Sequence, residues 1–176
     1  YAKIIALVGL AGSGKSSAVE YLTEKGFPKV YFGGVIYKAM DEAGIEKTWD
    51  NQQKFREEIR QREGKDFVIK RVIKNIHDLI NAGQNKIVLD GLYTWSEYTI
   101  LKHEFPGQVV VIAIVTPKHL RYQRMAKRPA RPMQPHDVDQ RDWSEIENLE
   151  KGGPIAIADY FINNDGTLDQ LHQKID

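Results

Sequence analysis

Gly9, Gly14, Lys15 and Ser16 stand at the spacing G-x-x-x-x-G-K-[ST], within Gly9-Leu10-Ala11-Gly12-Ser13-Gly14-Lys15-Ser16. Each residue type has a separate chemical task. The glycines let the backbone turn tightly and aim its N–H groups inward at phosphate oxygens. A helix opening at Lys15 adds the positive end of its dipole. The Lys15 ammonium is suited to β- and γ-phosphates, and the Ser16 hydroxyl to Mg²⁺. The expected nucleotide contacts are therefore Gly9, Ala11, Gly12, Ser13, Gly14, Lys15, Ser16 and Ser17.

Asp90-Gly91 closes the apolar run Ile87-Val88-Leu89. Ligands of open α/β sheets bind at the carboxyl ends of strands, where a carboxylate can hold a Mg²⁺ ion or its water. Asp90 joins Ser16 as the expected metal pair, and joins Lys15 among the expected catalytic residues. Arg121, Arg124 and Arg128 recur at helical spacing and are expected on one face. Arg131 lies in a proline-rich stretch beyond them and Arg141 on the following helix. Guanidinium groups can clamp the negative charge of phosphoryl transfer. Arg128, Arg131 and Arg141 are the expected catalytic clamps, and Arg124 a further nucleotide contact.

These residues need a scaffold. Lys3–Gly9 is a nearly continuous apolar run, as in a strand buried on both faces. A helix follows from Lys15 to Lys25, stopped by Gly26 and Pro28. Val30–Phe32, Lys86–Asp90, Gln108–Thr116 and Tyr160–Asn163 read as further strands. The stretch from Val35 to Gly83 reads as helical, with breaks near Gly44 and Gly64. Within it Ile69, Val72, Ile73, Ile76, Leu79 and Ile80 form one apolar face. Pro117 marks a helix start, and a last helix begins at Leu168. Arg128–His136, with three prolines, reads as an exposed loop or lid between helices. Strands alternating with helices imply a parallel sheet.

The 176 residues suit one domain, with a helical acceptor region at about 35–83 and a lid at about 128–137. Hydrophobic residues make up 41% and charged residues 28%, which excludes a disordered chain. A formal charge of +1 gives no global field for nucleic acid. The absence of cysteine excludes disulfides, a thiolate nucleophile and a cysteine zinc site, and fits a reducing, cytoplasmic setting. No apolar run reaches membrane-spanning length, and the first residues show no signal-peptide pattern. The five histidines lack metal-ligand spacing, Trp49, Trp95 and Trp143 read as packing residues, and Glu57, Glu58 and Glu63 as a solvated face.

The chain resembles the nucleoside-monophosphate-kinase-like branch of P-loop proteins, and within it dephospho-CoA kinase and the archaeal-type dephospho-CoA-kinase-like proteins. The matching stretches are GLAGSGKS at 9–16, VLDG at 88–91, Thr116 to Arg131, QRDWSE at 140–145 and IAIADYFINNDGTLDQL at 155–171. The resemblance implies a three-layer α/β/α P-loop NTPase fold with a five-stranded parallel sheet and an arginine lid. It implies ATP with Mg²⁺ as donor and a small-molecule acceptor, such as a nucleoside monophosphate or dephospho-CoA. Arg128 or Arg131 matches a lid arginine, and Arg141 the arginine after the lid.

The acceptor half departs from the family pattern. Gly34 stands where an aspartate is expected and Tyr37 where an arginine is expected, the Gly33-Gly34 pair reading as a turn. Leu92-Tyr93 stands where a further arginine is common. Losing these charges weakens recognition of an anionic acceptor. Asp41 or Glu42 is a candidate base on the next helix. Two functional readings remain open: an ATP-dependent small-molecule kinase, and an ATP-binding module or switch without transfer. The Asn-Lys-x-Asp pattern of guanine recognition is absent.

Overall fold

Apolar residues that alternate across a strand must be covered on both sides, and β1 (Lys3–Val8) shows how this chain does it. Ile4, Ala6 and Val8 enter one core cluster, while Leu7 enters a second on the opposite face. The elements that follow are α1 (Lys15–Glu24), β2 (Lys29–Tyr31), α2 (Phe32–Glu42), α3 (Trp49–Glu63), α4 (Phe67–Asn81) and β3 (Lys86–Asp90). Then come α5 (Trp95–Glu104), β4 (Val109–Val115), α6 (Lys118–Lys127), α7 (Pro135–Glu147), α8 (Gly152–Ala156), β5 (Tyr160–Asn163) and α9 (Leu168–Ile175). The computed structural model describes residues 2–64, 66–92, 94–129, 132–147 and 150–176, with Trp49 described by its backbone alone.

The sheet has the order β2-β3-β1-β4-β5, and every pairing is parallel. β1 lies between β3 and β4, with Ile4 opposite both Ile87 and Val109. One face of the sheet packs Phe32, Val35, Ile59, Ile69, Val72 and Ile76 from α2, α3 and α4. The other packs Ala18, Val19 and Leu22 of α1 against Leu7, Val88 and Ile114. The result is a three-layer α/β/α fold. The apolar stripe expected on α4 is its buried face: Ile69, Val72 and Ile76 are fully buried, with Ile73, Leu79 and Ile80 packed against the same core.

Local signals explain the element ends. Thr94 and Glu97 form a reciprocal capping box that starts α5, and Thr167 and Gln170 do the same for α9. Asp159 fixes the start of β5. Its carboxylate accepts from the Val111 N–H at 2.8 Å, while its own N–H donates to the Val111 carbonyl.

Three boundaries differ from the sequence reading. Phe32 leaves β2 to begin α2, because its side chain is needed in the core beneath the sheet. Gly33 and Gly34 are therefore in the first turn of α2 and make no separate turn. α7 begins at Pro135, inside the stretch expected as loop, since proline fits the first helical position. Trp143 is 58% exposed, so it is not a packing residue.

Candidate functional site

The turn from β1 into α1 builds the centre of the site. Ser13 N–H donates to the Leu10 carbonyl at 3.1 Å, and Gly14 stands at the N-cap of α1 with φ 96°. A side chain at Gly14 is excluded twice. Positive φ disfavours it, and a Cβ there would fall 2.1 Å from Asn164 Nδ2. At Gly9 a Cβ would meet Ser13 Oγ at 2.5 Å and the Ile114 carbonyl at 2.8 Å. α1 has no side-chain cap and no acidic residue in its first turn. Its positive end therefore faces the loop uncompensated by its own residues.

Lys15 and Asp90 come together at this end of the sheet. Lys15 Nζ lies 3.4 Å from Asp90 Oδ1, with both side chains mostly buried. The pair spans the ends of two strands that neighbour each other in the sheet. Ser16 is exposed in the first turn of α1, and Ser17 is half-buried beside it.

The arginines divide by position. Arg121 is buried and binds Asp142 of α7 through two parallel hydrogen bonds, at 3.0 and 2.8 Å. It also donates to the Ala11 carbonyl at 3.2 Å. Arg124 donates to the Gly12 carbonyl at 3.3 Å, to Thr116 Oγ1 at 3.2 Å and to the Asn164 carbonyl at 2.9 Å. Two guanidinium groups thus hold two successive carbonyls of the loop, those of Ala11 and Gly12. Arg128 is the half-buried residue that ends α6, with extended backbone at φ −67° and ψ 142°, so it leaves the helical face shared by Arg121 and Arg124. Arg141 is exposed on α7 and pairs with Glu145 at 3.2 Å. The expectation at Arg131 lies outside the described residues, as does that at Tyr93.

Several site residues carry no obvious sequence signal. Asn164 is buried and donates from Nδ2 to the Ser13 carbonyl at 2.8 Å. Thr116 Oγ1 lies 3.0 Å from the same carbonyl. Lys151, 96% buried, pairs with Glu145 at 3.2 Å. Asn164, Asp142 and Glu145 fall within motif-like stretches, yet only the fold shows what they touch. Lys151 has no motif around it at all.

On the acceptor side, Tyr31 ends β2 directly opposite Asp90 in register. Its ring lies over the first turn of α2, where a Cβ on Gly33 would fall 2.7 Å from its Cζ and hydroxyl oxygen. Burial raises the Tyr31 phenol pKa first, the charges of Asp90 and Tyr37 add to this, and Arg56 partly offsets it. Tyr31 and Gly34 line a cleft of about 650 Å³ whose walls also carry Lys29, Lys38, Arg71 and Lys74. Tyr37 is 36% exposed, with Lys47 Nζ 5.8 Å from its ring centroid. Asp41 is exposed and paired with Lys47 at 2.9 Å.

The residues fit magnesium triphosphate. Ser16 and Asp90 offer the oxygen donors that Mg²⁺ takes alongside phosphate and water. Among the described residues no group of three or more histidine, aspartate or glutamate side chains could hold a metal ion alone. Ser13 Oγ is buried with no hydrogen-bond partner among the described residues, an unmet polar atom within the loop itself. Among those residues no helix is long and apolar enough to cross a membrane.

Comparison with known proteins agrees with this architecture. Solved structures covering nearly the whole chain include a shikimate kinase from Acinetobacter baumannii in complex with shikimate. It is 21% identical, with a TM-score of 0.57 over 99% of this chain and 90% of that one. A dephospho-CoA kinase from Campylobacter jejuni is 18% identical, with a TM-score of 0.57 over 98% and 92%. A sugar kinase from Janibacter is 18% identical, with a TM-score of 0.58 over 99% and 92%. These likenesses place the chain in the P-loop kinase fold. In sequence, the family described as AAA domain matches residues 5–159. A UPF0200 protein of Sulfurisphaera tokodaii is 35% identical over 98% of this chain and 93% of its own length. Another, of Thermococcus onnurineus, is 32% identical over 98% and 94%. With matches of this extent, the chain belongs to the AAA domain family and to the UPF0200 proteins.

Proposed function

We propose that the protein is an ATP-dependent phosphotransferase that moves the γ-phosphoryl group to a nucleotide or nucleotide-like acceptor. The observation that carries this reading is the Lys15–Asp90 pair at 3.4 Å, formed where the P-loop and the end of β3 meet. Each of these charges partners the other. In the working site Lys15 turns to the β- and γ-phosphates, which frees Asp90 to hold Mg²⁺ with Ser16. Gly9, Ala11, Gly12, Ser13, Gly14 and Ser17 shape the phosphate cradle, with Arg124 fixing the Gly12 carbonyl from behind. Arg128, Arg131 and Arg141 supply the cations that approach the transferring group. Ser16 and Asp90 would hold Mg²⁺, which would neutralise phosphate charge, while the chain contributes positioning and electrostatics with no covalent intermediate.

The cleft beyond Tyr31 supports a reading of the acceptor class. The arginine expected near Tyr37 is missing, yet Lys29, Lys38, Arg71 and Lys74 line the adjoining wall. Arg71 pairs with Glu63 and Lys74 with Asp78, so the positive excess of the wall comes from Lys29 and Lys38 beside Glu42, and it favours an anionic acceptor. Dephospho-CoA and nucleoside monophosphates share this chemistry, as the resemblance in sequence also suggests. A second reading, an ATP-binding switch without transfer, is favoured by Gly34 and Tyr37, which remove the usual acceptor contacts.

The test is ADP release from Mg²⁺–ATP across nucleoside monophosphates, nucleosides and dephospho-CoA, beside Lys15→Ala. Acceptor-dependent release by the unmodified protein alone supports a kinase. Release that survives in Lys15→Ala rejects the assignment. Tight ATP binding with a flat acceptor panel favours the switch.

A further inference from the structure

Lys151 is a lysine placed where lysines rarely sit. It is 96% buried, and desolvation lowers its pKa below the usual 10.5, opposed by Glu145 and reinforced by the positive charges of Lys15 and Arg141. Keeping an ammonium out of water costs free energy unless something repays it. Two features of the backbone and one side-chain pair hold it in this place. Glu150, immediately before it, takes a left-handed φ of 54°, which a residue with a side chain adopts at a cost. The Lys151 N–H donates to the Glu145 carbonyl at 3.1 Å, while Lys151 Nζ pairs with the Glu145 carboxylate at 3.2 Å. One residue is therefore tied twice to the same point on α7.

That point faces the P-loop. Asp142 and Glu145 are three apart on α7 and share a face. Asp142 is locked to Arg121, which reaches the Ala11 carbonyl. Lys151 is also the N-cap of α8, and Ile155, one turn on, lines a small cavity together with Leu10 and Ser13 of the loop. Glu145 meanwhile shares its other oxygen with Arg141, so one carboxylate holds two cations on the loop side of α7.

We propose that Lys151 is a second phosphate-binding ammonium of the nucleotide site, delivered by the α7–α8 connection and engaging the terminal phosphate of a nucleoside triphosphate. Glu145 is its holder, a positioning residue that surrenders Lys151 when the phosphate offers more negative charge. The proposal rests on the nucleotide-binding reading of the P-loop. It assigns Lys151 the task of separating ATP from ADP, since an ammonium on the terminal phosphate has no counterpart in the diphosphate.

The test is calorimetric titration of the whole chain with Mg²⁺–ATP and Mg²⁺–ADP, using unmodified protein, Lys15→Ala, Lys151→Met and Lys151→Arg. The expected result is a loss of about tenfold or more in ATP affinity for Lys151→Met, with ADP affinity changed less than about threefold and the preference kept in Lys151→Arg. A residue that only supports the fold would weaken both nucleotides together. An unchanged ATP-to-ADP ratio in Lys151→Met, beside a Lys15→Ala variant that has lost binding, overturns this proposal and leaves the proposed function standing. Unmodified protein that binds neither nucleotide overturns both.

If Lys151→Met does not fold, unmodified protein and Lys151→Arg are titrated with ATP from about pH 7 to about pH 10. The charged groups facing Lys151 are Glu145 and Arg141 from α7 and Lys15 from α1. ATP affinity of the unmodified protein should fall more steeply with rising pH than that of the arginine variant, whose guanidinium keeps its proton. Parallel profiles overturn the proposal.

Discussion

Replacing Gly14 by alanine pushes a methyl group into the Asn164 amide that anchors the P-loop. The new Cβ would lie 2.1 Å from Nδ2 and 3.3 Å from Cγ, so the amide must move and its 2.8 Å bond to the Ser13 carbonyl is lost. Holding alanine in the left-handed region costs about 1–2 kcal/mol. The lost hydrogen bond adds about 0.5–1.5 kcal/mol, moderated by Thr116 Oγ1, which stays near the same carbonyl. Gly14→Ala should therefore destabilise the chain by roughly 1.5–3.5 kcal/mol. Asn164→Ala alone should cost about 1–3 kcal/mol, from the same bond and a small cavity. The two effects share one bond. In the Asn164→Ala background, Gly14→Ala has no amide to displace and should cost only the backbone strain. Urea unfolding of the four proteins gives the cycle, and the double variant should be less destabilised than the sum by about 0.5–1.5 kcal/mol. Additive costs would refute the idea that Gly14 is required because of Asn164.

Two further outcomes rest on buried charges. Arg121→Ala leaves the Asp142 carboxylate buried without its fork and should cost about 3–5 kcal/mol, a fall in Tm of several degrees by calorimetry. A change within about 0.5 kcal/mol would mean that the pair does not hold α7 to the loop. For Lys151, burial depresses the folded-state pKa, so between that value and 10.5 the unfolded chain binds more protons than the folded one. This group's contribution to stability must then rise with pH through that window. Urea midpoints of the unmodified protein should gain on those of Lys151→Met as pH rises from about 7 to about 10. A constant difference would show that the ammonium is not desolvated.

The strands and the donor half of the site were legible because they depend on local pattern. KIIALVG and GLAGSGKS, which share Gly9, state a buried strand, a tight turn and a helix in fourteen residues, and the structure has the strand at Lys3–Val8 and the helix from Lys15. The stripe on α4 was equally plain, because its apolar residues repeat at the helical period. What the pattern could not show is which distant groups meet. Arg121 and Arg124 looked alike as members of one basic helix, yet each grips a different loop carbonyl, with contacts more than a hundred residues apart in sequence. Tyr31 was hidden because it closes a three-residue strand, and its register opposite Asp90 exists only in the sheet. Lys151 was hidden for the opposite reason. A single lysine near two glycines reads as a solvated loop until the fold buries it.

The bond from Asn164 to Ser13 has a consequence for how the protein comes into being. The loop carbonyl at Ser13 is steadied by an amide 151 positions further along the chain. During synthesis β1, α1 and β3 leave the ribosome long before β5 does, and domains fold as their parts emerge. A nascent chain that stops short of Asn164 carries the whole G-x-x-x-x-G-K-S segment without the strand that anchors it. Competence to hold nucleotide therefore arrives late, as one of the last events of folding, and a stalled or shortened chain would present the motif without the site.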